Sequence, residues 1–169
     1  MKIYVRNLTK DTEMELHLPM QNLNSVLDSN CEYLIMESDT LDLDEFDSIY
    51  MVNEFLEYCH DNGIREEELA ILSKTYLYDE VVQMVVDGTY CIIDFDAETS
   101  GWYGGNGGDF TRDFDKGMAV YDFGFYKPFA FEMTEEIYDW IDWESVWTNA
   151  NCDGWRTVYY DRGHYLVHR

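Results

Sequence analysis

The chain opens with alternating apolar and polar positions. Lys2 to Leu8 (KIYVRNL), Met14 to Met20 (MELHLPM) and Glu32 to Ser38 (EYLIMES) each put apolar side chains on every second residue, which predicts three strands. Leu23, Val26 and Leu27 mark a short amphipathic helix between them, so residues 1–45 read as a small α+β module. From Phe46 the period changes. Phe46, Ile49, Tyr50, Leu56 and Cys59 follow a helical stripe interrupted by Asn53, with Asp42 or Asp44 available as the N-cap. Helices continue through Glu66 to Tyr76 and Leu77 to Val86, with a break near Tyr78 and Asp79. Thr89 to Asp96 (TYCIIDFD) returns to strand, closing a mainly helical middle module, 46–99.

The next segment, 100–117, holds Gly101, Gly104, Gly105, Gly107, Gly108 and Gly117, six of the eleven glycines, and reads as a mobile loop. Met118 to Tyr126 is ambiguous between helix and strand. TEEIYDWIDWESVW (Thr134 to Trp147) reads as a helix N-capped by Thr134, with Trp140, Trp143 and Trp147 spaced three and four apart on one side. Trp155 to His168 reads as a hairpin turning at Asp161-Arg162-Gly163, which completes a C-terminal α+β module, 118–169. The fold class expected is α+β, built of small sheet and helix units around a helical middle section.

Charge changes the picture more than composition does. The 169 residues are 46% hydrophobic and 17% aromatic, which is globular rather than disordered. They carry 35 carboxylates against 11 basic residues, a formal charge of −24, well beyond the magnitude of roughly 2–8 that keeps a small domain soluble. Self-repulsion of that size opposes folding and points to a basic partner or a divalent cation, and it disfavours nucleic-acid binding. Between Lys10 and Arg65 fourteen acids occur without one lysine or arginine. Seven more lie between Lys74 and Arg112, and another seven between Lys127 and Arg156. The four cysteines stand far apart with no C-x-x-C pair, the N-terminal MKIYVRNLTK lacks a signal-peptide core, and no apolar run reaches the ~20 residues of a membrane span. A soluble cytosolic protein with reduced thiols is expected.

Candidate chemistry is thin. From Asp94, Asp96 and Glu98 fit the first half of a calcium loop, but Thr99 stands where glycine is needed and Gly105 where the last glutamate is needed; from Asp42, Phe46 already breaks the pattern. Glu144 with Asp142, among Trp140, Trp143 and Trp147, is the best pair for an acidic-cleft glycoside hydrolase, although such chemistry needs two carboxyls with divergent environments rather than dozens of exposed ones. His164 and His168 share a strand face without a third metal ligand. The GGNGG stretch matches neither phosphate-binding glycine motif, and no nucleophile triad is evident. Neither a metal nor an organic cofactor is expected.

Carboxylates can instead stand for phosphates. Duplex DNA carries one charge per ~1.7 Å of axis. Carboxylates at i and i+2 of a strand lie roughly 7 Å apart, and at i and i+4 of a helix roughly 6 Å, close to the phosphate spacing along one DNA strand. LDLDEFD and EEIYDWIDWE supply such spacings.

IYVRNL, the strand EYLIMESD followed by LDLDEFDSIYMVNEFLEY, and IYDWIDWESVW with GWRTVYYDRGHYLV resemble the ArdA family of antirestriction proteins, in that order and at comparable spacing over most of the chain. That family has an I-Y-[VI]-x-N-L strand near its start and a motif like N-Y-I-D-Y-x-A-Y near its end. Tyr138, Ile141, Asp142 and Trp143 occupy corresponding positions here, and Trp140 stands before Ile141 where the family has tyrosine. The resemblance implies an elongated, modular homodimer in the cytoplasm of a bacterial host, carried by a phage or mobile element. It further implies mimicry of bent B-form DNA that blocks the DNA-binding groove of type I restriction–modification complexes. Another defence nuclease, such as a CRISPR effector, is the alternative target. On that reading Asp39, Asp42, Asp44, Glu45, Asp47, Glu54, Glu57, Glu66, Glu67, Glu68, Asp94, Asp96 and Glu98 are the phosphate surrogates, and Tyr138, Trp140, Ile141, Asp142, Trp143 and Trp147 form the dimer and antirestriction motif.

Overall fold

The computed structural model describes residues 1–129 and 133–169, leaving out Glu132, one of the seven acids between Lys127 and Arg156. Among the described residues the chain is mixed α+β, with eight α-helices and two three-stranded antiparallel sheets, and it divides into two compact units, Met1–Gly88 and Thr89–Arg169. That boundary differs from the expected modules. The 1–45 module and the helices of 46–99 share the first unit, whereas the strand that ends 46–99 joins the second.

In the first unit β1 (Lys2–Asn7) lies between β2 (Thr12–His17) and β3 (Tyr33–Ser38). Alternation in β1 sends Ile3, Val5 and Asn7 inward. Asn7 earns its buried place by folding the hairpin, because its Oδ1 accepts the backbone N–H groups of Thr9 and Lys10, both at 3.0 Å. Strand β2 sits earlier than Met14 to Met20 suggested, since Pro19 cannot donate to a ladder. A short α1 (Leu23–Val26) follows, and α2 (Ile49–Asp61) buries Ile49, Val52, Phe55, Leu56 and Cys59. The cap of α2 is Ser48, which accepts from the Met51 N–H, rather than Asp42 or Asp44; Phe46 lies outside the helix and exposed. Asn53 interrupts the apolar stripe because it pins a loop: its Oδ1 accepts from the Met20 N–H at 2.7 Å and its Nδ2 donates to the Met20 carbonyl at 3.3 Å. Helices α3 (Glu66–Leu72) and α4 (Tyr78–Asp87) complete the unit. Three glutamates in the first turn of α3 suit its dipole, and Gly88 ends α4 in the left-handed region, φ +63°.

The second unit pairs β4 (Cys91–Asp94) and β5 (Arg156–Tyr160) on either side of β6 (Gly163–His168). Asp161 and Arg162 both have positive φ, the geometry of a tight two-residue hairpin turn at the predicted place. The unit also holds α5 (Phe95–Glu98), which packs on β6, a 3-10 turn (Thr99–Gly104), α6 (Asp113–Asp122) packed on α8 (Trp143–Cys152), and a short α7 (Glu135–Tyr138). Its core is aromatic: Phe95, Trp143, Trp147 and Trp155 are buried with Ile93, Val120 and Leu166.

Residues 100–117 are not the single loop expected. Their last part is the start of α6, and Asp115, Lys116 and Gly117 are buried. Gly117 is where α6 meets α8: a Cβ there would fall 1.9 Å from the Trp143 carbonyl oxygen. The ambiguous 118–126 stretch is helical to Asp122. The described cysteines are all free thiols, and no described helix is long and apolar enough to cross a membrane.

Candidate functional site

The candidate site in the first unit is its acidic surface, on the loop between β3 and α2 and on the exposed faces of α2 and α3. Of the thirteen surrogate carboxylates, Asp39, Asp42, Asp44, Glu45, Asp47, Glu54, Glu57, Glu66, Glu67 and Glu68 belong here, and none is buried. Glu67 and Glu68 meet Arg65, at 3.5 and 2.8 Å. The seven from Asp39 to Glu57 are different: among the described residues none forms an ion pair with lysine or arginine.

Neutral donors position several of these carboxylates without cancelling their charge. Asp39 accepts from the Lys2 N–H at 2.9 Å and the Thr40 hydroxyl at 2.8 Å. Asp44 accepts from the Phe46 N–H at 3.1 Å, and Asp47 from the Asp44 N–H at 2.7 Å. Glu57 takes the Asn53 amide at 3.0 Å; Glu66, by contrast, accepts the Thr40 hydroxyl at 2.9 Å and is also ion-paired with the N-terminal ammonium at 2.9 Å. The carboxylates of Asp42, Glu45 and Glu54 have no partner among the described residues. Asp42, Asp44, Asp47 and Asp79 also line a cleft of about 280 Å³ with Leu43, Leu77 and Tyr78. Burial first, then Asp47 and Asp79, raises the pKa of the Tyr78 hydroxyl, so it stays protonated in that field. Such a surface can hold lysine and arginine side chains, and it repels phosphate.

Two of the three surrogates in the second unit, Asp94 and Asp96, have structural duties. Asp94 caps α5 by accepting the Ala97 N–H at 3.0 Å. Asp96 accepts the His164 N–H at 3.0 Å and faces its Nδ1 at 3.1 Å, while His168 separately meets the Asp153 carbonyl at 3.2 Å. The half calcium loop is thus taken apart by the fold, with Glu98 exposed beside it. Among the described residues no three His, Cys, Asp or Glu side chains converge on a metal position.

Thr134 to Trp147 is not one helix, which corrects the expected tryptophan stripe. Thr134 caps nothing with its side chain. The chain turns after Tyr138, and Asp142 starts α8 by accepting the Ser145 N–H at 3.1 Å and its hydroxyl at 2.8 Å. Those bonds hold the Asp142 carboxyl below the usual carboxylate range, the wrong direction for a general acid, and its supposed partner Glu144 is exposed to solvent. Trp143 and Trp147 are core, whereas Trp140 is 86% exposed on the turn. Tyr138 packs its ring 4.6 Å from Trp143 and donates its hydroxyl to Asp122 at 2.7 Å, and Ile141 leans on the same core. Sequence reasoning missed Trp102, Phe114 and Met118, which line a pocket with Tyr138, Asp139 and Trp143. The density of aromatics around the glycines was the available signal.

No protein-family model matches the chain, and no curated protein sequence matches it either.

Proposed function

We propose that this protein is a non-enzymatic DNA mimic of the ArdA type, which occupies the DNA-binding groove of type I restriction–modification complexes. The observation that carries this reading is the run of seven exposed or half-exposed carboxylates, Asp39 to Glu57, to none of which a lysine or arginine is paired among the described residues. Ordinary protein surfaces intersperse the two signs, and unpaired like charge opposes folding. A surface that keeps such charge and also fixes it with neutral donors is suited to a partner that brings the cations. Counterion release then drives binding just as it does on DNA.

The partner in this reading is the methyltransferase core of the complex, and the protein acts as a homodimer. Trp140 is the motif side chain free to meet a second copy, because Trp143 and Trp147 are already enclosed in the second unit.

The test is displacement of a labelled duplex from a purified type I methyltransferase. Displacement should be strong near 50 mM salt and weaken steeply toward about 200 mM, as for a ligand held by many ion pairs. A protein that leaves the duplex bound throughout that range is not a mimic of this kind.

A further inference from the structure

The second unit contains a pocket that the acidic surface does not explain. About 310 Å³ opens between Trp102, Phe114, Met118, Tyr138 and Trp143, and Asp139 is the one carboxylate on its lining. Its walls are set before any ligand arrives. Trp143 is 2% exposed and donates its indole N–H to the Tyr138 carbonyl at 3.2 Å; Trp102 stacks on Phe123, centroids 6.1 Å apart, and meets Phe95 edge-on. The Asp139 carboxylate is exposed and has no partner among the described residues. On the other side of Tyr138 and Asp139 a second hollow, about 420 Å³, adds Asp122 and Glu135.

Aromatic faces and carboxylates reject an anion and attract a cation. Between the two cationic side chains, arginine fits better: its flat guanidinium can lie parallel on a ring while its N–H fork meets a carboxylate with two bonds, whereas an ammonium meets ring and carboxylate only as a compact point charge. The same unit already uses this chemistry internally, with Arg112 5.4 Å from the Phe114 ring, Lys116 4.9 Å from Trp147 and Lys127 3.5 Å from Tyr121. We propose that the pocket receives an arginine side chain from a basic protein partner, its guanidinium against the Trp102 and Tyr138 rings and bonded to Asp139. Any basic segment can supply that arginine, with or without DNA mimicry.

The experiment titrates the full chain with Ac-Gly-Ser-Arg-Ser-Gly-NH2 and with its lysine counterpart, following the indole N–H signals of Trp102 and Trp143 by NMR. The arginine peptide should shift both signals and bind about fivefold tighter than the lysine peptide. Asp139→Asn should weaken it by about fivefold, and Asp42→Asn, which removes one charge in the other unit, by less than about twofold. Equal binding of the two peptides, or equal losses from the two variants, would mean that net charge alone attracts the peptide and would overturn the assignment. Asp139 is exposed, so its variant keeps the fold that Trp102→Ala, cut from a packed stack, would disturb. Duplex displacement is read separately, so either reading can fail alone.

Discussion

The two units handle charge in opposite ways. The first sets twenty acids against five lysines and arginines over an aliphatic core of residues such as Ile3, Val5, Leu16, Ile71 and Leu72; the second sets fifteen against six and holds all five tryptophans. In the second unit three of the six cations lie over its own aromatic rings. Lys116 is buried against Trp147 with its ammonium 2.7 Å from Asp113, and Arg112 and Lys127 lie over rings. In the first, Asp39, Asp44, Asp47 and Glu57 are held by backbone, hydroxyl and amide donors, which restrict them while leaving their charge intact, and the carboxylates of Asp42, Glu45 and Glu54 have no partner among the described residues. Net charge alone therefore says little about function; how the charge is satisfied separates a surface for a partner from a surface that serves the fold.

The largest effect expected tests the aromatic half. Trp143→Ala should destabilise the second unit by about 3–5 kcal/mol, as loss of a fully buried indole does, and Trp140→Ala by less than about 0.5 kcal/mol. Because every tryptophan lies in that unit, denaturant unfolding followed by tryptophan fluorescence reports it directly. Equal losses would erase the distinction between core and projecting tryptophan.

The acidic half comes next. Neutralising Asp42, Asp44, Glu45, Asp47 and Glu54 together as amides should reduce duplex displacement from the methyltransferase by about 100-fold, whereas Asp109, Glu135, Glu136, Glu144 and Asp161 changed likewise should cost about tenfold or less. A comparable loss from both sets would show that net charge, not its place, is read.

The smallest effect concerns the α8 cap. Asp142→Ala should lower the melting temperature of the second unit by about 5 °C at pH 7. The folded-state pKa of Asp142 is depressed by the Ser145 bonds, so its stabilisation is present above the unfolded value of about 3.9 and is lost as pH falls through the folded one. The gap between wild type and variant should therefore close in melts run toward pH 3. A gap that persists there would assign the effect to something other than the ionised cap.

Much of this was legible from pattern because local chemistry decided it. Period-two alternation located β1, β3 and the final hairpin, and the helical stripe located α2, since those faces had no alternative burial. The tryptophan stripe misled for a definite reason: Asp142 offers the chain a helix start between Trp140 and Trp143, and that cap outcompetes continuing the turn of α7. The pocket of Trp102, Phe114 and Tyr138 draws on three separate elements, so no local spacing announced it.

By itself the sequence determined the one-sign run of acids between Lys10 and Arg65 and the strands and helix that carry it, because both follow from residue order and near neighbours. The glycine segment was decided by tertiary structure. Gly117 reads as flexibility along the chain, yet it is glycine because α6 and α8 approach too closely for a Cβ. Only the packed unit contains the Trp143 carbonyl that imposes that limit.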